Sequence, residues 1–391
     1  MPEASPLFEA FKLGSTNLSH RIALAPCTRL RGEKLKDFWI PGDLMVEYYS
    51  QRASEGGLLL TEACPISATA CGYLGSAGIF TPEQIAGWKR VTDAVHKKGG
   101  KIYCQLWHVG RATVAQLIGG IQPISAVSTP IKGPSFVPGV DYADAPPRAM
   151  FGSDFEEIIQ NFVDAAKIAI NDANFDGVEV HGANGYLLDQ FFHDNVNTRK
   201  DEYGGSIENR VKFPLQVLEA VIAAVGGAKT GIRLSPYNFY QDTKDSDPNK
   251  NWAYICEKIA DLKETVSYVH MIEPRFDEVL SEEDKLKSLE DQVIRRQEFS
   301  LDPFRNILKA RGIAFIRAGG FSKEDAIEKL SAGKADIIAF GRSFLSNPDL
   351  VDRYAKDLAL SKYDRSTFYG SNPPNTGYTD YPVFAESELA A

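Results

Sequence analysis

Short apolar runs rich in Val, Ile and Leu recur along the chain, and each stops at a polar or glycine-rich stretch. They are Ile22 to Pro26, Leu58 to Thr61, Lys101 to Leu106, Gly177 to Val180, Gly231 to Leu234, Tyr268 to Ile272, Ile313 to Arg317 and Asp336 to Phe340. Their length and β-branched content predict buried strands. Helical spacing lies between them. Asp43 to Glu55 places Leu44, Tyr48 and Ala53 on one face, and Thr81-Pro82-Glu83-Gln84 is a capped start, with proline at N1, for a helix running to His96. Ser153-Asp154-Phe155-Glu156 reads as a capping box opening a helix to about Asn174. Further helices are expected over Ser206 to Ala224 and Trp252 to Leu262, after Ser322, and after Asn347-Pro348.

Eight strands, each leading towards a helix, predict a parallel (β/α)8 TIM barrel. Residues Leu7 to Leu18, turning at Gly14-Ser15, form a hairpin ahead of the first barrel strand. Val109 to Gly152 holds several prolines and no sustained period, the mark of a lid or binding loop. The charged run Arg275 to Arg296 reads as a mobile loop or an exposed helix. No internal repeat or linker divides the chain, so residues 1–391 are expected to form one domain.

Charge narrows the partners. The 52 acidic and 43 basic residues leave a net charge of -9, which argues against nucleic acid or an anionic membrane. The five cysteines are scattered and odd in number, which excludes a disulfide framework and points to a reducing compartment. The start, MPEASPLFEAFK, has neither a basic region nor an apolar core, and the C-terminus is no peroxisomal address, so the cytoplasm is expected. The uncharged stretches Ala63 to Pro82 and Ala112 to Ile131 are broken by Pro, Gly, Ser and Thr, and neither reads as a membrane helix.

The chemistry gathers at strand ends. His181, Asn184 and Tyr186 follow the fourth strand at spacings of three and two, and all three can donate hydrogen bonds while uncharged. Two neutral donors on one oxygen, beside a weakly acidic hydroxyl, suit a developing enolate and the protonation of its neighbouring carbon. After strands seven and eight, Gly319-Gly320 and Gly341-Arg342 offer backbone N–H groups and a fixed charge to a phosphate. On the fold alone that phosphate belongs to a sugar phosphate, a nucleotide or a flavin. Gly-x-Gly-x-x-Gly follows no strand, so a dinucleotide fold is absent. A lyase or isomerase acting on phosphorylated metabolites is the competing class. It needs a Schiff-base lysine or a metal set, but Lys101 sits at the wrong end of its strand, and His181 and His193 lack converging carboxylates at ligand spacing.

The run from Gly177 to Arg210, GVEVHGANGYLLDQFFHDNVNTRKDEYGGSIENR, resembles the old yellow enzyme family of flavin-dependent ene reductases. The likeness extends to Ala25-Pro26-Cys27-Thr28-Arg29, Gln105-Leu106-Trp107, Gly231 to Pro236, Gly341 to Pro348 and Tyr363 to Tyr369. It implies FMN as cofactor, NADPH or NADH as reductant, and a small-molecule activated alkene as substrate, acting in ping-pong order on a monomer or homodimer. By that resemblance Pro26, Thr28, Gln105, Arg233, Gly319, Gly320, Gly341 and Arg342 bind the flavin, Thr28 at O4, Gln105 at the pyrimidine edge and Arg233 at the N1–O2 side. His181 and Asn184 hold the substrate oxygen, Tyr186 gives the proton, and Trp107 and Tyr369 shape the substrate site. Iron–sulfur relatives are excluded because no Cys-x-x-Cys occurs. The His-Asn pair follows yeast and fungal members, whereas plant 12-oxophytodienoate reductases commonly carry His-His. Relatives in alkaloid pathways that lack the tyrosine act as isomerases, so Tyr186 implies reduction. A flavin-binding sensor with incidental turnover is a third class.

Overall fold

A computed structural model of the chain describes residues 5–275, Lys287 and residues 299–384. Eight strands run parallel in one closed ring: β1 (Ile22–Leu24), β2 (Leu58–Leu60), β3 (Lys101–Trp107), β4 (Gly177–Gly182), β5 (Thr230–Leu234), β6 (Tyr268–Ile272), β7 (Ala314–Ala318) and β8 (Ile337–Phe340). Closure comes from β8 pairing with β1, Ile338 opposite Ile22, so no barrel strand has a free edge. The helices α1 (Asp43–Arg52), α2 (Pro82–His96), α3 (Asp154–Asn171), α4 (Leu187–Phe192), α5 (Ile207–Val225), α6 (Pro248–Ala260), α7 (Asp302–Lys309), α8 (Lys323–Ser331), α9 (Arg342–Ser346) and α10 (Leu350–Ala355) lie between and after the strands. The (β/α)8 barrel expected from the sequence is the fold.

Period two along each strand sorts side chains into two cores. Outward residues such as Leu59, Ile102, Val178, Val180, Ile232 and Ile338 pack against the helices. Inward residues form a separate interior with Ala23, Leu58, Tyr103, Tyr268, Ile316 and Ala339. The hairpin, Phe11–Leu13 paired with Thr16–Leu18, closes the N-terminal end of this interior through Leu13 and Leu18. Two tyrosines fill the lower layer only because glycine stands beside each: Gly177 is in register with Tyr103, and Gly231 with Tyr268.

Several boundaries differ from expectation. A Thr81 capping box does open α2, since Thr81 Oγ1 accepts from Gln84 N–H at 3.3 Å and Gln84 Oε1 accepts from Thr81 N–H at 3.1 Å. Ser153 makes no such cap, because its φ and ψ of -69° and -12° are already helical. Asp154, in the first turn, accepts from Phe151 N–H ahead of the helix at 2.8 Å and pairs with Arg148. Helix α6 begins at Pro248, capped by Asp247, ahead of the expected Trp252, because its polar first turn has no apolar spacing. The helix expected after Asn347-Pro348 is α10, from Leu350 to Ala355, and a short helix not foreseen, α9, opens at Arg342 directly from the strand end. Helices α4 and α7, and a hairpin of Glu33–Leu35 with Phe38–Ile40, were not foreseen. Of the charged run, only Arg275 and Lys287 fall among the described residues.

A Cβ on Gly231 would sit 2.2 Å from the Tyr268 ring. We expect Gly231→Ala to lower stability by about 1–3 kcal/mol through overpacking. Thermal unfolding of the two proteins measures it, and an unchanged midpoint would mean that the ring has room to move aside.

Candidate functional site

The barrel's C-terminal mouth opens into a cavity of about 440 Å³, walled by residues from the ends of β1, β4, β5, β7 and β8 and from the loops beyond them. His181, on β4, faces it. Ala183 N–H donates to His181 Nδ1 at 3.3 Å, so the neutral ring carries its proton on Nε2. Burial, reinforced by the charge of Arg233, holds this imidazole well below its ordinary pKa. His181 is therefore an uncharged N–H donor.

Asn184 and Gly185 both take left-handed backbone, with φ of 59° and 72°. That turn is costly for asparagine and persists because its amides are tied down. Asn184 N–H donates to Ser235 Oγ at 2.8 Å, and Gly185 N–H to Asp189 Oδ2 at 2.7 Å. Behind Asp189 lies His193, whose Nε2 is 3.2 Å from Asp189 Oδ1 and whose Nδ1 is 3.0 Å from Asp245 Oδ2. His181 and His193 were expected to lack converging carboxylates at ligand spacing in sequence; His193 meets two in the fold, one of them from a distant loop. They form an ion pair buried away from the cavity, and among the described residues no group of three or more His, Cys, Asp or Glu could hold a metal.

Tyr186 is the N-cap of α4, its ring edge-on to His181 with centroids 5.2 Å apart. Its hydroxyl lies 3.0 Å from that of Tyr73, which lines the cavity and was not foreseen. The signal was there: Tyr73 sits in the loop following β2, on the barrel's functional face. Trp107 is fully buried and outside the cavity wall. It stacks on Tyr73 at 5.5 Å and meets Tyr186 edge-on at 5.0 Å, so it supports both phenols from behind. Phe136, from the long loop, and Tyr240 complete this aromatic side, also unforeseen. Tyr369 lines the mouth and is 61% exposed. Its segment is held by Arg29 and Arg31, which donate to the carbonyls of Phe368 at 3.0 Å, Gly377 at 2.6 Å, Thr367 at 2.8 Å and Pro374 at 2.9 Å.

The floor is polar. Gln105 Nε2 donates to Glu179 Oε1 at 2.7 Å, and His270 Nδ1 lies 2.9 Å from Glu179 Oε2. Burial alone would raise the Glu179 pKa, but His270 and Arg233 outweigh it and hold the carboxyl low. Burial also keeps His270 below its ordinary pKa, so a neutral imidazole donates to a carboxylate. Pro26, Thr28, Gln105 and Arg233 all reach the cavity. Arg233 Nε is buried without a hydrogen-bond partner, a strong donor left for a ligand.

Across the mouth, Gly319, Gly320, Gly341 and Arg342 share one wall. Arg275 donates through Nε to Gly319 O at 3.0 Å and through Nη2 to Gly320 O at 3.3 Å. In a planar trans peptide the N–H points opposite its C=O, so the next two amides turn away from Arg275. A Cβ on Gly320, whose φ is 69°, would lie 3.1 Å from Arg342 Nη2. Glycine here leaves open a cradle with a guanidinium beside it, suited to a phosphate. These observations fit FMN: a cationic cradle at one side, an apolar slot and a polar edge with a vacant arginine N–H.

The comparisons agree with this fit. Residues 6–361 match the NADH:flavin oxidoreductase / NADH oxidase family, and the chain belongs to that family of FMN-dependent oxidoreductases, which includes the old yellow enzymes. It is 56% identical over 382 residues to the flavin oxidoreductase hxnT of Emericella nidulans, covering 96% of this chain and 97% of that protein. To 12-oxophytodienoate reductase 2 of Arabidopsis thaliana it is 43% identical over 386 residues, 97% of this chain and 96% of the relative. The structure of morphinone reductase in complex with tetrahydroNAD superposes with a TM-score of 0.83 at 36% identity, covering 97% and 98% of the two chains.

The buried cation behind the loop has a pH signature. Burial pulls the His193 pKa down, but Asp245 and Asp189 outweigh it and raise it to about 10. Because the folded value lies above the unfolded value of about 6.5, this stabilisation is complete below pH ~6.5 and is lost as pH rises towards 10. Breaking the pair should cost on the order of 3–5 kcal/mol. We expect His193→Gln to lower the melting temperature most at pH 6 and progressively less by pH 10; a gap between the curves that stays constant with pH would show that His193 is not charged in the fold.

Proposed function

We propose that this flavin oxidoreductase is an ene reductase, reducing the activated C=C bond of α,β-unsaturated carbonyl or nitro compounds with NADPH or NADH. The observation that carries the reading is His181 itself: a buried imidazole held neutral, its proton assigned to Nε2, on the same cavity wall as Asn184 and Tyr186. A hydride acceptor alone needs no such trio, whereas an enone does.

Arg342 and the amides of the Gly319-Gly320 turn, with Gly341, would hold the FMN phosphate, and Pro26, Thr28, Gln105 and Arg233 its ring. When bound, FMN supplies the carrier that takes hydride from the nicotinamide and passes it to the alkene β-carbon. The nicotinamide and the alkene use one cavity in turn, which is ping-pong order. His181 and Asn184 donate hydrogen bonds to the substrate's carbonyl or nitro oxygen, where negative charge gathers as the hydride arrives. Tyr186 gives its proton to the α-carbon. The aromatic wall of Tyr73, Phe136 and Tyr240 excludes water and favours flat apolar substrates. The charge of Arg233 favours negative charge on the group beside it.

Tyr186→Phe should leave NADPH oxidation by the flavin intact and slow alkene reduction about 10²–10⁴-fold. Rapid-mixing measurement of the two half-reactions separates them, and equal damage to both would remove Tyr186 from the proton step. Turnover of any activated alkene by the native protein also distinguishes an enzyme from a flavin-binding sensor. For the cofactor, Gly320→Ala forces a side chain into left-handed backbone beside Arg342 and should weaken FMN binding about 10-fold or more. Titration of deflavinated protein with FMN measures this; an affinity equal to that of the native chain would move the phosphate elsewhere.

A further inference from the structure

The geometry points to Tyr73 as the residue that makes Tyr186 an effective acid: its hydroxyl donates to Tyr186 Oη and stabilises the phenolate left when Tyr186 gives up its proton. The inference rests on Tyr186 being the proton donor. The two hydroxyl oxygens are 3.0 Å apart, and each phenol brings one proton. If Tyr186 spends its proton on the substrate, the proton between the two oxygens is Tyr73's. The direction of the bond is thus set by the chemistry.

The surroundings favour the same assignment. Tyr73 is almost fully buried, and its ring is clamped between Trp107, stacked at 5.5 Å, and Phe136, edge-on at 4.3 Å. The hydroxyl is thereby aimed by a rigid ring. Burial first, then the neighbouring Tyr186, Tyr240 and Tyr142, hold the Tyr73 pKa well above that of a free phenol. Tyr73 therefore stays protonated and available to donate when its neighbour becomes an anion. Trp107 also meets the Tyr186 ring edge-on, so one buried indole sets the spacing of the pair.

In the step itself, a C–H bond forms at the substrate α-carbon as the Tyr186 O–H bond breaks. The electron pair of that bond stays on Tyr186 Oη, where the hydrogen bond from Tyr73 changes from a neutral to a charge-assisted one. Solvent returns the proton to Tyr186 after the product leaves. Hydrogen bonds to charged oxygen are roughly twice as strong as neutral ones, so the transition state gains more than the ground state. Tyr73 is thus a positioning residue that acts through Tyr186.

The experiment is a double-mutant cycle on the purified FMN-loaded protein, using Tyr73→Phe, Tyr186→Phe and the double variant, with both half-reactions followed by rapid mixing. Tyr73→Phe keeps the stacked ring and removes one oxygen. We expect it to slow the limiting rate of cyclohexenone reduction about 10-fold, with flavin reduction by NADPH and the concentration of cyclohexenone at half-saturation unchanged. In the Tyr186→Phe background the same substitution should have no further effect on that rate. A full 10-fold loss in both backgrounds, or a change in half-saturation alone, would overturn the inference and make Tyr73 a simple wall residue. A native rate in Tyr73→Phe alongside a slow Tyr186→Phe would also overturn it while leaving Tyr186 as the donor. A native rate in Tyr186→Phe would overturn the proton-donor reading beneath it. An unchanged visible flavin spectrum and 4-hydroxybenzaldehyde affinity in Tyr73→Phe establish that the pocket is intact.

Discussion

A carboxylate at the centre of a closed barrel has no water to solvate it, and Glu179 meets that constraint with partners from three other strands. Gln105 on β3 and His270 on β6 donate to its two oxygens, and Arg233 on β5 supplies the opposing charge. Leaving such a carboxylate unpaired would cost several kcal/mol, so the four side chains hold one another in place. The consequence is a rigid floor. With Gln105 Nε2 committed to Glu179 and Arg233 held beside the same carboxylate, the donors and acceptors that face the cavity are already oriented before any ligand binds, which is what preorganised electrostatics requires.

Above the floor, the residues proposed to react stand at the end of β4 and on loops, and each loop has its own anchor. The strained Asn184-Gly185 turn is fastened by Ser235 and Asp189, and Asp189 is in turn backed by His193 and Asp245. Arg275 performs a similar task at the opposite wall by drawing the carbonyls of Gly319 and Gly320 outwards. Arg29 and Arg31 bind the backbone of the segment that brings Tyr369 to the mouth. In each case a charge outside the cavity shapes a surface inside it. Such groups stand outside the cavity, yet the geometry of the side chains that line it depends on them.

The barrel was legible because its signal is local. Alternating inward and outward residues, a capped helix start at Thr81 and β-branched runs all act over a few neighbouring positions. The site was legible in part for the same reason: His181, Asn184 and Tyr186 come from one short stretch, and the glycines beside Arg342 from two strand ends. What stayed hidden arises from tertiary pairing. Nothing near Tyr73 announces that its hydroxyl will meet Tyr186, more than a hundred residues later, and His193 gains Asp245 only when β4 and β5 are neighbours. Trp107 was placed beside the pocket by resemblance, but Tyr73, from the loop after β2, stacks on it, and Phe136, from the long loop, packs edge-on against Tyr73 on the cavity side. Ser153 has the residue type of a cap and the wrong backbone for one.

The proposed chemistry requires a neutral His181 and Asn184 to bind an oxyanion against FMN. The measurement that tests it most directly is the visible spectrum of the purified protein during titration with 4-hydroxybenzaldehyde. An electron-rich phenolate held against an oxidised flavin gives a long-wavelength charge-transfer absorption that neither component has alone. The expected result is flavin peaks, a new band that saturates, and loss of that band in His181→Ala and Asn184→Ala while the flavin peaks persist. Flavin peaks with no band, or a band unaffected by either substitution, would contradict it.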